Sequence, residues 1–245
     1  MRFKRTKALA AAAGLSLVLA ACGGDSGSDV EVAENPEFES GTKMADLADA
    51  GSIKIGVKVD QPGIGFQEPG ADSPEGFDIE MGRVLAAALG IDEDGIEWVE
   101  TVSDNREPYL QKGTVDIVIA SYSITDERRQ VVGQAGPYYV TGQQLLVLEE
   151  DKETITSPED TEGKKVCSVT GSTSLQRMED EYGASPVPFA TYSECVDQLE
   201  NGTVDAVTTD GAILLGYAAE NPDELEVVAE PFSEERYGVG YNKDA

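Results

Sequence analysis

The frame Leu-x-x-Gly-Thr-Val-Asp-x-Val occurs twice, at residues 110–118 and 199–207, and a chain that repeats such a frame is built of two similar units. Each copy reads as the end of a helix, a glycine that stops it (Gly113, Gly202), a short buried strand, and a polar residue just past the strand (Ser121, Asp210). A weaker echo pairs Ile53-Lys54-Ile55-Gly56-Val57-Lys58-Val59-Asp60 with Lys165-Val166-Cys167-Ser168-Val169-Thr170-Gly171, both strands that run into a polar or glycine turn. Between the first two strands, Met81, Val84, Leu85, Ala88 and Leu89 fall on one helical face, and Gly90 is placed to end that helix. Strand, helix and strand in this order predict parallel pairing through right-handed crossovers. Ligands of such open sheets bind beyond the carboxyl ends of the strands. Asp60, Ser121, Gly171 and Asp210 stand at such ends, so two facing units would bring all four to one cleft.

At the amino terminus, Arg2, Lys4, Arg5 and Lys7 flank an apolar run over residues 8–20, and Leu19-Ala20-Ala21-Cys22 leads into Gly23-Gly24-Asp25. The run is too short to cross a bilayer and reads as a secretory signal over residues 1–21. Small residues directly before a cysteine resemble the lipobox of bacterial lipoproteins, in which the cysteine, here Cys22, is acylated. The alternative is an ordinary signal peptide with a chance cysteine. Residues 22–43 are rich in Gly, Ser, Asp and Glu without an apolar period, and read as a flexible acidic tether between membrane and folded body.

Charge and composition exclude several functions. The chain carries 18 Lys and Arg against 47 Asp and Glu, a formal charge of −29, and removal of the basic signal segment makes it more negative still. Nucleic-acid binding needs a basic face and is excluded. With no histidine in the chain, Ser-His-Asp and Cys-His catalysis and His-containing zinc sites are excluded too. No metal and no cofactor is implied. If Cys22 carries lipid, Cys167 and Cys195 remain; in an oxidising compartment they form one disulfide or stay as two buried thiols, and spacing alone does not decide between these.

Gly76-Phe77-Asp78-Ile79-Glu80-Met81, continuing to Leu85-Ala86 and Leu89, resembles the signature of the polar amino-acid-binding proteins of ABC importers, the extracellular solute-binding proteins of family 3. Its acidic pair, Asp78 and Glu80, reads as capping and orienting the helix, outside the binding site. Ala120-Ser121-Tyr122-Ser123-Ile124-Thr125-Asp126-Glu127-Arg128 resembles the segment with which that family grips an α-amino acid. The resemblance covers nearly everything from Ile53 onward. It implies an α/β, two-lobed periplasmic-binding-protein-like fold (type II), each lobe a mostly parallel sheet flanked by helices, joined by two hinge strands. Lobe 1 is expected over residues 44–140, continued by 238–245, and lobe 2 over 141–237, with crossings near Tyr139 to Gln143 and Arg236 to Gly238. Family members continue for several tens of residues beyond the equivalent of Ala245, so a truncated lobe 1 is expected.

The resemblance also implies roles. Arg128 would pair with the ligand α-carboxylate through two parallel charge-assisted hydrogen bonds. Ser121 and Ser123 would add backbone or hydroxyl contacts, Ser121 near the α-ammonium. Gly171, Ser172 and Thr173 would form a helix N-terminus whose amides also meet the carboxylate, and Asp210 would hold the ammonium. Plainer readings stay open: Arg128 stands beside Arg129 as a solvated charge, and Asp210 caps the helix that follows it. Asp60-Gln61-Pro62-Gly63 lacks the aromatic residues that clamp cationic ligands in relatives and resembles the glutamate-binding members, as does Asp104-Asn105-Arg106. Gln61 and Arg106 thereby join the candidate ligand-binding residues, Arg106 for the side-chain carboxylate unless it only pairs with a neighbouring glutamate. The stretches around Cys167, Cys195 and Val207-Thr208-Thr209-Asp210 resemble glutamate-binding lipoproteins of high-GC Gram-positive bacteria and imply a Cys167 to Cys195 disulfide. The expectation is an extracytoplasmic, lipid-anchored monomer, not an enzyme, that closes on L-glutamate and delivers it to the membrane subunits of an ABC importer. Aspartate and glutamine are the alternative ligands. The rivals are a dehydratase or lyase on the same fold and a ligand-presenting sensor protein.

Overall fold

The computed structural model describes residues 30–244; the signal segment, Cys22 and the first part of the tether lie outside the described residues. The first unit runs α1 (Lys43–Ala50), β1 (Ile53–Val57), the short hairpin β2 (Asp60–Gln61) and β3 (Gly65–Phe66), α2 (Phe77–Ala88), β4 (Ile96–Glu100), α3 (Arg106–Lys112), β5 (Ile117–Ile119), α4 (Asp126–Val131) and β6 (Gly133–Thr141). The second runs β7 (Gln143–Leu148), β8 (Lys165–Val169), α5 (Thr173–Glu181), β9 (Ser185–Phe189), α6 (Tyr192–Glu200), β10 (Ala206–Asp210), α7 (Gly211–Glu220) and β11 (Leu225–Val228), after which β12 (Glu235–Tyr241) returns to the first.

The two sheets have the same plan. In the order β4-β1-β5-β12-β6 the first three strands are parallel, β12 runs against them, and β6 pairs antiparallel to β12; β9-β8-β10-β7-β11 repeats this in the second unit. The sheets are therefore mixed: a parallel trio carries the βαβ units, and the strands that change lobes supply the antiparallel edge. The repeated frame has a mechanical reason. Asp116 accepts from the Lys54 amide at 2.8 Å while its own amide donates to the Lys54 carbonyl, and Asp205 does the same with Lys165, at 2.7 and 2.8 Å. Each aspartate pins the start of its sheet's central strand, and Gly113 and Gly202, both at φ 67°, supply the left-handed turn before it.

Helix α2 is rotated from the face read off its apolar pattern. Ile79, Gly82, Ala86 and Ala87 are buried, whereas Val84 and Ala88 are exposed and Met81, Leu85 and Leu89 only flank the core. Gly82 explains the rotation: a β-carbon there would stand 2.7 Å from the Trp98 ring, so the absence of a side chain lets the helix press that face onto the sheet. In the second lobe, Cys167 of β8 and Cys195 of α6 form a disulfide with Cα atoms 5.5 Å apart across a sequence separation of 28. Closing a loop of that length stabilises by about 3 kcal/mol, largely through the unfolded chain.

The outward crossing passes through Gly142, where a β-carbon would stand 2.3 Å from the Ser233 carbonyl oxygen on the returning strand. The return falls at residues 229–234, ahead of Arg236 to Gly238, because β12 already pairs with β6 from Glu235 opposite Thr141. A third connection is the β2–β3 hairpin. Ile64 is buried in the core of the second lobe, and the Asp60 carboxylate accepts from the Tyr192 amide at 2.8 Å, at the N-terminus of α6. The Asp60 carbonyl also accepts from the Tyr217 hydroxyl.

Candidate functional site

A small polar cavity lies between the carboxyl ends of the two parallel trios. From lobe 1 it is lined by Ser103, Arg106, Ser121, Ser123 and Arg128, and from lobe 2 by Ser172, Thr173, Ser174, Tyr192, Thr209, Asp210 and Ile213. Seven of the nine residues expected at a ligand site meet here. Gly171 stands at the mouth, in a neighbouring cleft. Gln61 does not line the cavity; it is fully buried, and neither atom of its amide has a partner among the described residues. Asp60 is also absent from the lining, since its carboxylate holds the start of α6.

The lobe 1 wall is cationic. Arg106, buried at the start of α3, donates from Nε to the Ser103 carbonyl at 3.1 Å, from Nη1 to the Ala120 and Ser121 carbonyls at 3.1 and 3.3 Å, and from Nη2 to the Gly171 carbonyl at 3.1 Å. Arg128 donates from Nη1 to the Ser123 carbonyl at 2.7 Å and from Nη2 to the same Gly171 carbonyl at 2.9 Å. The two guanidiniums face one aromatic ring, at 4.6 and 5.0 Å from the Tyr122 centroid. Arg128, not Arg106, pairs with a glutamate: its Nε lies 3.2 Å from Glu107 Oε1, which also accepts from the Tyr122 hydroxyl at 2.8 Å. Of the two adjacent arginines, Arg128 turns inward and Arg129 is exposed. Burial, and then the charge of Arg128, lower the pKa of Arg106 to about 10, so it stays protonated at neutral pH.

Lobe 2 supplies the opposite charge. Asp210 ends β10 at the N-cap position of α7, yet its side chain makes no capping hydrogen bond. Oδ2 accepts from the Tyr237 hydroxyl at 2.7 Å, and Oδ1 is buried without a partner among the described residues. Burial, followed by the nearby charge of Glu235, raises its pKa to about 7. Beside it α5 points its N-terminus at the cavity, with Ser172 as N-cap accepting from the Leu175 amide at 3.0 Å and Thr173 donating to Glu235 at 3.2 Å. Gly171, at φ 79°, is required by contact between lobes: a β-carbon there would stand 2.9 Å from the Asp104 α-carbon.

Five lining residues, Ser103, Ser174, Tyr192, Thr209 and Ile213, fall outside the expected set, as do two lobe 1 residues behind the lining, Asp78 and Lys58. Asp78 does not cap α2. It is fully buried and accepts from the Ser121 amide at 2.7 Å and the Tyr138 hydroxyl at 2.8 Å, thereby holding Ser121 at φ 41°. Burial raises its pKa to about 6. Lys58 is buried just past β1 and donates to Ser103 Oγ at 2.9 Å; burial, and then Arg106, lower its pKa to about 7. The echo that ran from Ile53 to Asp60 contained Lys58, and a lysine directly after an apolar strand was the available signal. Among the described residues no group of His, Cys, Asp or Glu is arranged to hold a metal ion.

Two mixed α/β lobes, joined by crossing strands and enclosing a polar cavity of opposite charges, define a two-lobed binding protein of the periplasmic type. The model of the bacterial extracellular solute-binding proteins, family 3, matches residues 53–182, and the chain belongs to that family. The glutamate-binding protein GluB of Corynebacterium efficiens is 38% identical, over 99% of this chain and 81% of that protein. The ABC transporter glutamine-binding protein GlnH of Bacillus subtilis is 36% identical, over 93% of this chain and 81% of that protein. Among solved structures, the arginine-bound form of truncated ArgBP from T. maritima aligns with a TM-score of 0.75 at 28% identity, covering 82% of this chain and 92% of that one.

Proposed function

We propose that this protein captures an acidic amino acid, L-glutamate ahead of aspartate, with the amide glutamine as the alternative ligand, and presents it to the membrane subunits of an ABC importer from a lipid anchor at Cys22. The observation that carries this reading is the polarity of one cavity, with Arg106 and Arg128 on one wall and the unpartnered Asp210 Oδ1 on the other. An α-amino acid presents a carboxylate and an ammonium on one carbon, and opposite charges on facing walls bind both at once. Arg128 takes the α-carboxylate, assisted by the α5 N-terminus at Ser172 and Thr173, while Ser121 and Ser123 flank the bound zwitterion and Asp210 takes the ammonium.

The preference for a dicarboxylic ligand rests on the remaining charges. Among the described residues Arg106 hydrogen-bonds only to carbonyls, and Lys58 stands behind it through Ser103. Glu107 and Asp78 offset part of this positive charge, but a buried guanidinium without a carboxylate of its own favours an anion over an amide. The overall acidity of the chain does not oppose this, because salt screens it over about 8 Å. Since the ligand's two ends touch different lobes, its binding energy favours the closed arrangement over the open one. The relatives reported above are named as binding proteins, which favours capture over turnover.

Calorimetric titration of the folded body with glutamate, aspartate, glutamine, histidine and arginine tests the reading. Saturable binding of glutamate above the others, lost in Arg128→Ala and turned toward glutamine in Arg106→Ala, is the expected result. Preferred binding of arginine or histidine would overturn the ligand class, and chemical conversion of a bound ligand would overturn the binding role.

A further inference from the structure

The aromatic side chains at the base of the cleft reach both lobes. Tyr138 and Tyr139 belong to β6 and Tyr237 to β12, the strands next to the two crossings, and Tyr237 packs against both, with ring centroids 6.2 and 5.7 Å away. Tyr237 is fully buried and fixed to lobe 1: it forms a β-bridge with Ser123, and the amide that follows it, of Gly238, donates to the Tyr122 carbonyl at 2.9 Å. Its hydroxyl nevertheless ends in lobe 2, on Asp210 Oδ2 at 2.7 Å. Burial holds this phenol well above its ordinary pKa, so it is a donor at any physiological pH. The other oxygen of Asp210 is buried, lacks a protein partner among the described residues, and belongs to a side chain that lines the cavity.

We propose that Tyr237 is a positioning residue for recognition of the ligand's ammonium group: by holding Oδ2 it presents Oδ1 of Asp210 to the cavity, and does so only when the lobes are together. This rests on the assignment of the ammonium to Asp210. The donor moves with the first sheet and the acceptor with the second, so hinge opening separates them and the ammonium acceptor loses its alignment. The carboxylate must also be ionised to receive an ammonium. Glu235, two residues before Tyr237 on β12, opposes that ionisation; Arg106 of α3, Arg177 of α5 and the Tyr237 hydroxyl favour it, and Tyr192 of α6 stands nearby as a neutral phenol. Without the Tyr237 hydroxyl, Oδ2 loses its donor and ionisation becomes harder. The acid limb of amino-acid binding then moves to higher pH.

The test compares wild type, Tyr237→Phe and Tyr139→Phe, using glutamate and glutarate, which lacks the ammonium, from pH 6 to 9. Tyr139→Phe removes a hydroxyl that makes no hydrogen bond among the described residues and is the control for ring packing. Tyr237→Phe is expected to weaken glutamate roughly tenfold at pH 7, the size of a hydrogen bond to a charged group. Its deficit should shrink toward pH 9, with glutarate affinity equal to that of wild type. Equal weakening of both ligands at every pH, or no weakening, would overturn the proposal. If Tyr237→Phe does not fold, 3-fluorotyrosine at position 237, a stronger donor of the same shape, is expected to move the acid limb to lower pH, and an unmoved limb would overturn the proposal. A wild type that binds no amino acid would remove the Asp210 assignment and this inference together; a wild type that binds glutamate while Tyr237→Phe keeps its discrimination against glutarate would remove this inference alone.

Discussion

The two lobes share strand order, the aspartate that pins the central strand, and the glycine before it, but they differ at the strand ends that face each other. After β5 the first lobe turns through Ser121 at φ 41° and gathers Lys58, Arg106 and Arg128 around one tyrosine ring and Ser103. After β10 the second lobe stops at Asp210, with Glu235 close by, and braces β8 against α6 with a disulfide. The common frame fixes where a cavity can form. The differing ends decide its polarity, and a ligand with separated charges is what joins two such halves.

That contrast can be broken most directly at its charged ends. Arg128→Ala and Asp210→Asn are each expected to weaken amino-acid binding by about 2–5 kcal/mol in calorimetry, because each leaves one end of the zwitterion without a partner in a buried site. A smaller loss in both would mean that the opposed charges do not carry recognition. The brace sharpens the contrast next. Joint Cys167→Ser and Cys195→Ser substitution should lower the stability of lobe 2 by about 3 kcal/mol in denaturant unfolding. The single tryptophan, Trp98, lies in lobe 1, so its fluorescence should report a transition displaced less than that followed by circular dichroism.

The cationic wall makes a prediction about pH. Lys58 has its folded pKa lowered to about 7, below its ordinary value of 10.5. Between those values the unfolded chain binds the proton and the folded one does not, so this group adds stability as pH rises from about 7 toward 10.5 and is least favourable below 7. Lys58→Met is therefore expected to stabilise the ligand-free protein by about 2 kcal/mol at pH 6, with the gain fading by pH 10, in paired denaturant titrations. A pH-independent effect would place Lys58 in a solvated setting. Gly171→Ala has the smallest expected effect, roughly 1–2 kcal/mol in affinity: the strained φ and the approach to Asp104 would hold the lobes slightly apart.

Much of the fold could be read from the sequence because its repeated frame encodes hydrogen bonds local to each sheet, and those act the same way in both lobes. The face of α2 could not, since apolar residues surround the helix and the choice was made by Gly82 against Trp98, a contact between distant segments. The site divides along the same line. Asp210 stands at a strand end and Arg128 is marked by the family resemblance of its segment, whereas Asp78 reads as a helix cap because its contacts, the Ser121 amide and the Tyr138 hydroxyl, lie 43 and 60 residues away. Lys58 belongs to no motif, and its part in the site emerges only with its burial beside Arg106. Gln61 and Asp60 stand where a parallel sheet places ligand contacts, but the hairpin that carries them is drawn sideways by Ile64 into the core of lobe 2.

The central claim is that closure requires both charges of one ligand, and the separation between the lobes tests it. With labels on Lys112→Cys of α3 and Glu200→Cys of α6, saturating glutamate should shorten and narrow the distance distribution, while glutarate, lacking the ammonium, and 4-aminobutyrate, lacking the α-carboxylate, should leave it broad. Equal closure by either of those half-ligands at saturation, or glutamate binding without a change in separation, would contradict the account.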